Sequence, residues 1–234
     1  MDNEINFDTL IGVDETGVGD YFSPIVSVAC FIPTKNIEKI KELGVKDSKK
    51  LSENKIKELA PKLEKLTLWR KNILSQKGYN NLIANKINNN EIKTLIHSNS
   101  INSLLAILNE PVDVIIDQYT NNEETFYNHY KKLKNIDWLK IDKPQVKIYL
   151  KTKAEDKSLS VACASVIARN ILLNLMDLQI KNYNFPFKLG ANSEVDNLAA
   201  KFLKENSIEK LKEVAKISFK TTFKAIEINN LLKK

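Results

Sequence analysis

Carboxylates recur at three places where the chain reads as coming off a β-strand: Asp14 and Glu15 after TLIGV, Asp117 after VDVII, and Glu155 with Asp156 after KIYLKTKA. Taken singly, acids at strand ends cap loops or face solvent, but loops at strand ends are also where chemistry concentrates. Grouped carboxylates without arginine partners repel one another, and a bound hard cation is the usual remedy. Asp14 and Glu15 are consecutive, so a regular strand sends them to opposite faces, while a strand end or a bulge lets both reach one ligand. The two histidines, His97 and His129, lie in none of these segments.

The elements that must hold these acids follow from the pattern of apolar residues. Residues 9–14 and 24–33 read as strands, joined through ETGVGDYFS, whose two glycines make a tight connection and antiparallel neighbours. A third strand fits 66–75, a fourth 112–117 and a fifth QVKIYLKTKA. Helices are expected over 36–43, over 52–65 behind a Ser52 cap, over 91–108 ahead of Pro111, and over about 158–180. The buried face of the last would carry Leu159, Ala162, Cys163, Val166, Ile167 and Leu173, with Ser158 as its cap. Beyond a Gly- and Pro-containing loop at 183–192, the remainder reads as two or three lysine-rich amphipathic helices. One α/β domain spanning 1–234, with a helical C-terminal part over about 192–234, is the economical expectation.

Composition narrows the partners. The 234 residues, 43% hydrophobic, suffice for one large core. No apolar run is expected to approach the ~18 or more residues of a membrane span, and the acidic start MDNEINFDTL is unlike a signal peptide, so a cytoplasmic chain is expected. Cys30 and Cys163 sit in small apolar surroundings that suit packed core positions, and two cysteines exclude a disulfide scaffold or a zinc-cysteine site. Of the 36 basic residues behind the net charge of +7, only Arg70 and Arg169 are arginine, and lysine serves phosphates better than base edges. The first twenty residues carry −6, whereas 35–57 carry +4 and 201–234 carry +5. An acidic centre with basic surroundings suits a metal-dependent enzyme acting on a polyanion. GVGD lacks the Gly-Lys-Ser/Thr ending of a phosphate-cradling loop, which excludes a Walker-type phosphotransferase.

Four segments in order, IGVDETGVGDYFSPIVSVAC, KDSKKLSENK, VIIDQYT and KTKAEDKSLSVACASVIARN, resemble the type 2 ribonucleases H, the family of ribonucleases HII and HIII. The resemblance runs from about residue 10 to FKTTFKA at 219–225. It is closest to ribonuclease HIII, because Val18 stands between the two glycines where ribonuclease HII has arginine, and Glu155 stands where HII has aspartate. Val18 also departs from the threonine of HIII, Ser23 from a glycine, and Ser218 from a histidine, which bears on substrate detail more than on reaction class.

The resemblance implies a ribonuclease H-like fold, a central mixed sheet flanked by helices, and hydrolysis of the RNA strand of RNA/DNA hybrids to 5′-phosphate and 3′-hydroxyl ends. It implies Asp14, Glu15, Asp117 and Glu155 as catalytic and metal-binding residues for two Mg2+ or Mn2+ ions, with Asp156 competing for the fourth place. Gly17, Val18 and Gly19 are implied in recognising the ribose 2′-hydroxyl through their backbone, with Lys49 and Asn99 as further substrate contacts. Tyr21, Phe22 and Tyr119 flank the acids and are expected to pack or position them. Ribonucleases HIII carry an N-terminal substrate-binding domain. Here the first strand opens by about residue 9, so a catalytic domain alone is expected, acting as a monomer without an obligate protein partner, its lysines gripping the hybrid in place of that domain.

Overall fold

The computed structural model describes residues 5–45, 48–108 and 110–231; Asp2, Glu4, Lys46, Asp47, Lys233 and Lys234 of the charge tallies lie outside them. The strands are β1 (Ile11–Thr16), β2 (Ile25–Phe31), β3 (Leu68–Leu74), β4 (Val114–Asp117) and β5 (Ile148–Lys151). The helices are α1 (Ile37–Glu42), α2 (Glu53–Leu66), α3 (Gln76–Ala84), α4 (Asn89–Leu108), α5 (Glu123–Lys134), α6 (Ala154–Lys157), α7 (Leu159–Tyr183), α8 (Ser193–Glu205), α9 (Ile208–Val214) and α10 (Lys220–Leu231). The chain forms two compact units: one of the residues up to Thr16 with Val26–Asn72 and Asn89–Asn170, the other of Gly17–Ile25, Ile73–Asn88 and the chain from Ile171 onward.

The first unit is built on the expected mixed sheet, in the order β3-β2-β1-β4-β5. β1 runs antiparallel to β2 and parallel to β4, and β4 parallel to β5. One correction concerns the acids. Asp14 lies within β1 as expected, but the strand runs past its expected end at residue 14 to include Glu15, because β2 continues to pair with it, Asp14 opposite Val28 and Glu15 opposite Ser27. The parallel ladder to β4 stops at Val13 and Ile116, so Asp14 and Asp117 are the next residues on two neighbouring strands. A second correction concerns the fifth strand, which ends at Lys151, so that Glu155 and Asp156 sit in the short helix α6.

The pleat gives each face of the sheet its helix. A Cβ on Gly12 would meet Val161 N at 2.2 Å, so only glycine lets the start of α7 settle on β1. Asp14 is two residues further along the same face, and Ser165 is one helical turn beyond Val161, which brings Ser165 to Asp14. Ile115 and Ala154 pack with Val161 on this side. The other face meets α4, where the Ser27 and Ser100 hydroxyls are 3.0 Å apart.

The expected core positions of α7 are buried, apart from Leu159, which is half-buried. The helix passes by length and composition as a membrane span, yet 72% of its most apolar window is buried inside the protein, the mark of a core helix. Ser158 does not cap it as expected. Asp8 Oδ1 accepts from Leu159 N at 2.7 Å, while the Ser158 hydroxyl donates to Phe7 O. Cys30 and Cys163 are buried and unbridged, and contact with the Cys30 thiol together with burial raises Cys163 well above the usual thiol range.

The second unit has an aromatic core around Tyr21, Phe22, Phe185, Phe187 and Phe202, joined by Val195 and Ala199 of α8. Its helices start on side-chain caps, Ser75, Asn192 and Ser207 each accepting a backbone N–H of the first turn. Such caps stabilise by about 1 kcal/mol each. The loop after β1 is tied into this unit: Tyr21 OH lies 2.8 Å from Thr222 Oγ1, and Gln76 Nε2 donates to Phe22 O at 2.7 Å.

Candidate active site

Burial and charge divide the two acids of β1. Asp14 is pushed up to about 7, first by burial and then by the adjacent Glu15 charge; Ser165, the Glu15 backbone N–H at 2.8 Å and the nearby Lys49 only partly offset this. Burial alone would also raise Glu15, but the His97 hydrogen bond and charge, together with Lys93, outweigh it and bring it down to about 2. Lys93 Nζ stands 2.7 Å from Glu15 Oε1 and His97 Nε2 2.8 Å from Oε2, a pincer from successive turns of α4. Glu15 is thus held as a paired anion on the α4 face, while on the α7 face burial and the Glu15 charge disfavour ionisation of Asp14.

Asp117, on the α7 face by register, accepts from Ala154 N at 3.2 Å, which ties the end of β4 to the turn carrying Glu155. That turn holds Lys153 in the left-handed region at φ 53°, a conformation that costs a non-glycine residue about 1 kcal/mol and recurs beside functional sites. Glu155 is half-buried. Asp156 is exposed and held by Lys50 at 2.9 Å, which lowers it below the ordinary carboxylate range.

The remaining expected residues are placed as follows. Lys49 lies in the turn Ser48–Lys50, near enough for its charge to act on Asp14. Asn99 is half-buried on α4, and two residues from His97 it points to a different side of the helix from the Glu15 pincer. Gly17, Val18 and Gly19 belong to the second unit, Gly17 buried and Gly19 exposed. Tyr21 and Phe22 are fully buried, in keeping with packing. The Tyr119 and His97 ring centroids lie 5.5 Å apart in an edge-to-face arrangement, and the Tyr119 hydroxyl lies 2.9 Å from Thr94 Oγ1, which also meets His129 Nδ1 at 2.9 Å.

Three contributors escaped sequence reasoning: Lys93, His97 and Ser165. The spacing of Lys93 and His97, one turn apart at the start of the apolar α4, was the available signal, whereas Ser165 is one small residue in an apolar run.

Asp14 and Glu15 face opposite ways, and among the described residues no three His, Cys, Asp or Glu side chains are gathered closely enough to hold a metal ion. The donor set nonetheless suits a hard cation. Asp14 is a half-buried carboxylate whose desolvation the nearby Lys49 charge only partly offsets, Asp117 follows on the same face, and oxygen ligands are what Mg2+ and Mn2+ prefer.

Comparison with known proteins identifies the family. The family model for ribonuclease HII matches residues 11–222. Ribonuclease HIII of Bacillus cereus is 34% identical over 222 residues, covering 94% of this chain and 69% of that protein. The crystal structure of Bst-RNase HIII in complex with Mn2+ superimposes with a TM-score of 0.86 at 32% identity, covering 95% of this chain and 71% of that one. The ribonuclease H2 from Pyrococcus horikoshii OT3, 21% identical with a TM-score of 0.69 over 96% of this chain and 98% of its own, shares the fold. Sheet, acids and relatives together give one conclusion: the chain belongs to the ribonuclease HII family, among the ribonucleases HIII, and is a ribonuclease H.

Proposed function

We propose that this chain cuts runs of ribonucleotides in RNA/DNA hybrids endonucleolytically, with Asp14, Glu15, Asp117 and Glu155 holding two divalent ions, Mg2+ or Mn2+. The observation that carries the reading is the placing of Asp14 and Asp117 side by side just past the end of a parallel ladder, with desolvation and the Glu15 charge outweighing the nearby Lys49 at Asp14. When bound, such ions activate the attacking water and neutralise the leaving oxygen. The residues of the chain do the rest. Asp117 is oriented by the Ala154 N–H, and Asp14 by Ser165 and the Glu15 N–H. Glu15 stands on the opposite face with both carboxylate oxygens engaged by Lys93 and His97, so its entry into the ion set requires that pincer to open. Glu155, not Asp156, is the fourth acid, because Asp156 is already engaged by Lys50. Gly17, Val18 and Gly19 offer backbone donors to the RNA strand, and Lys49, whose charge reaches Asp14, meets its backbone, whereas Asn99, on α4, points away from the acids.

Val18 in place of arginine favours hybrids over a single ribonucleotide embedded in duplex DNA. The test compares cleavage of an end-labelled hybrid with that of a duplex containing one ribonucleotide, each with Mg2+ and with Mn2+. Cutting confined to the hybrid is expected; equal cutting of both would replace this reading with ribonuclease HII-like incision.

A further inference from the structure

Lys216, between α9 and α10, is fully buried, an unusual position for lysine. Its Nζ donates to Gly17 O at 2.6 Å and to Ser23 O at 2.8 Å, the carbonyls at either end of the loop that follows β1. The Tyr79 and Phe219 rings each lie 5.7 Å from the same nitrogen. The loop is closed on itself. Ser23 Oγ and Asp20 N both donate to Gly17 O at 3.3 Å, Gly190 N donates to Asp20 Oδ1 at 2.7 Å, and Tyr21 N donates to Gly190 O at 2.9 Å. Gly17 adopts φ +90°, and a Cβ there would lie 2.2 Å from Pro24 O.

Packing alone does not account for this arrangement. Leucine or methionine would fill the volume without losing the hydration of an ammonium. Burial pushes Lys216 down to about 7, with Asp20 acting in the opposite sense, yet the ammonium and the neutral amine can each donate to two carbonyls. The geometry has a consequence for the next peptide. In a planar trans amide the C=O and N–H point in opposite directions, so fixing the Gly17 carbonyl toward Lys216 directs the Val18 N–H away from it. A carbonyl that accepts strong hydrogen bonds also makes its own amide N–H a better donor.

We propose that Lys216 is a positioning residue for RNA recognition: it sets the Gly17–Val18 peptide so that the Val18 N–H is presented to the ribose 2′-hydroxyl of the RNA strand. This rests on the hybrid-cleaving reading above. The role is orientation, since Lys216 itself touches only protein groups.

The test uses the full chain as wild type, Lys216→Met, Lys216→Gln and Lys216→Arg, measuring kcat and KM on an RNA/DNA hybrid and affinities for that hybrid and for the all-DNA duplex of the same sequence. Lys216→Met is expected to keep its circular dichroism spectrum, to lose roughly 100-fold in kcat/KM as a misplaced binding group does, and to lose its preference for hybrid over DNA. Lys216→Arg, which keeps donors for both carbonyls, should recover part of both. A folded Lys216→Met within twofold of wild type in kcat/KM and in preference would overturn the proposal. Failure of all three variants to fold would overturn it too, since Lys216 would then be a structural strut. A wild type that binds hybrid but does not cut it would instead refute the hydrolytic reading, and Lys216 would still be judged by the binding preference.

Discussion

Asp14 and Glu15, consecutive on β1, direct their carboxylates to opposite faces of the sheet, Asp14 toward Ser165 of α7 and Glu15 toward Lys93 and His97 of α4. The pleat makes this separation obligatory, and the two helices then give the acids opposite electrostatic fates, one pushed up to about 7 and the other brought down to about 2. A cation entering the site would meet its strongest unmet demand at Asp14.

The α4 pincer makes His97→Ala costly. Its ring is 1% exposed and the Glu15 side chain 12%, so the substitution leaves a buried carboxylate with only Lys93. Urea unfolding should show a loss of about 3 kcal/mol. Adding Glu15→Gln should cost less than the sum of the single changes, because the two residues act as a pair. Strict additivity would contradict the pairing.

Gly12→Ala tests how α7 is seated. The new methyl would meet Val161 N at 2.2 Å and Ser160 C at 2.3 Å, both backbone atoms. The helix must shift, at an expected cost of about 3 kcal/mol. Activity should fall with it, as Ser165 moves off Asp14. An unchanged unfolding midpoint would rule out the close approach.

Lys216 predicts a pH dependence of stability. Its folded value of about 7 lies below the ordinary 10.5, so between these values the unfolded chain holds a proton that the folded chain has shed. Stability contributed by this group therefore rises with pH from about 7 toward 10.5, and as pH falls it is lost over that same interval and is gone once pH has passed below about 7. Asp20 is the charged group acting against the shift, and the Tyr79 and Phe219 rings flank the nitrogen. Relative to Lys216→Met, the wild-type melting temperature should climb between about pH 7 and 9. Parallel curves for the two proteins would contradict a buried, easily deprotonated lysine.

Binding should be steeply salt-dependent. Lysine-rich segments at 35–57 and 201–234 make phosphate contact the natural source of affinity, so log Kd should rise linearly with log salt concentration. Lys49→Met should reduce that slope by about 1. A slope unchanged by the substitution would remove Lys49 from the interface.

Much of this was legible in the residues. Apolar runs ending in acids located β1, β4 and the surroundings of Asp14, Glu15 and Asp117, because strand patterning is local. Helices α3 and α5 went unread: QKGYNNLIA and EETFYNHYKKLK are rich in asparagine and polar residues, and their few apolar positions gain meaning only against partners distant in sequence. The same distance hid the Glu15–His97 pair, 82 positions apart, and the capping of α7 by Asp8, 151 positions away. Lys216 was one of nine lysines in a tail that reads as an amphipathic surface, and nothing local marks it as the one with 0% exposure.

The most direct measurement is cleavage of an end-labelled RNA/DNA hybrid by wild type and by Asp14→Asn side by side, with hybrid binding followed on the same samples. Asparagine keeps the size of Asp14 and removes its charge. The account predicts internal cuts in the RNA strand by the wild type and a loss of at least about 1,000-fold in the variant, with binding retained. Robust cleavage by Asp14→Asn would contradict it.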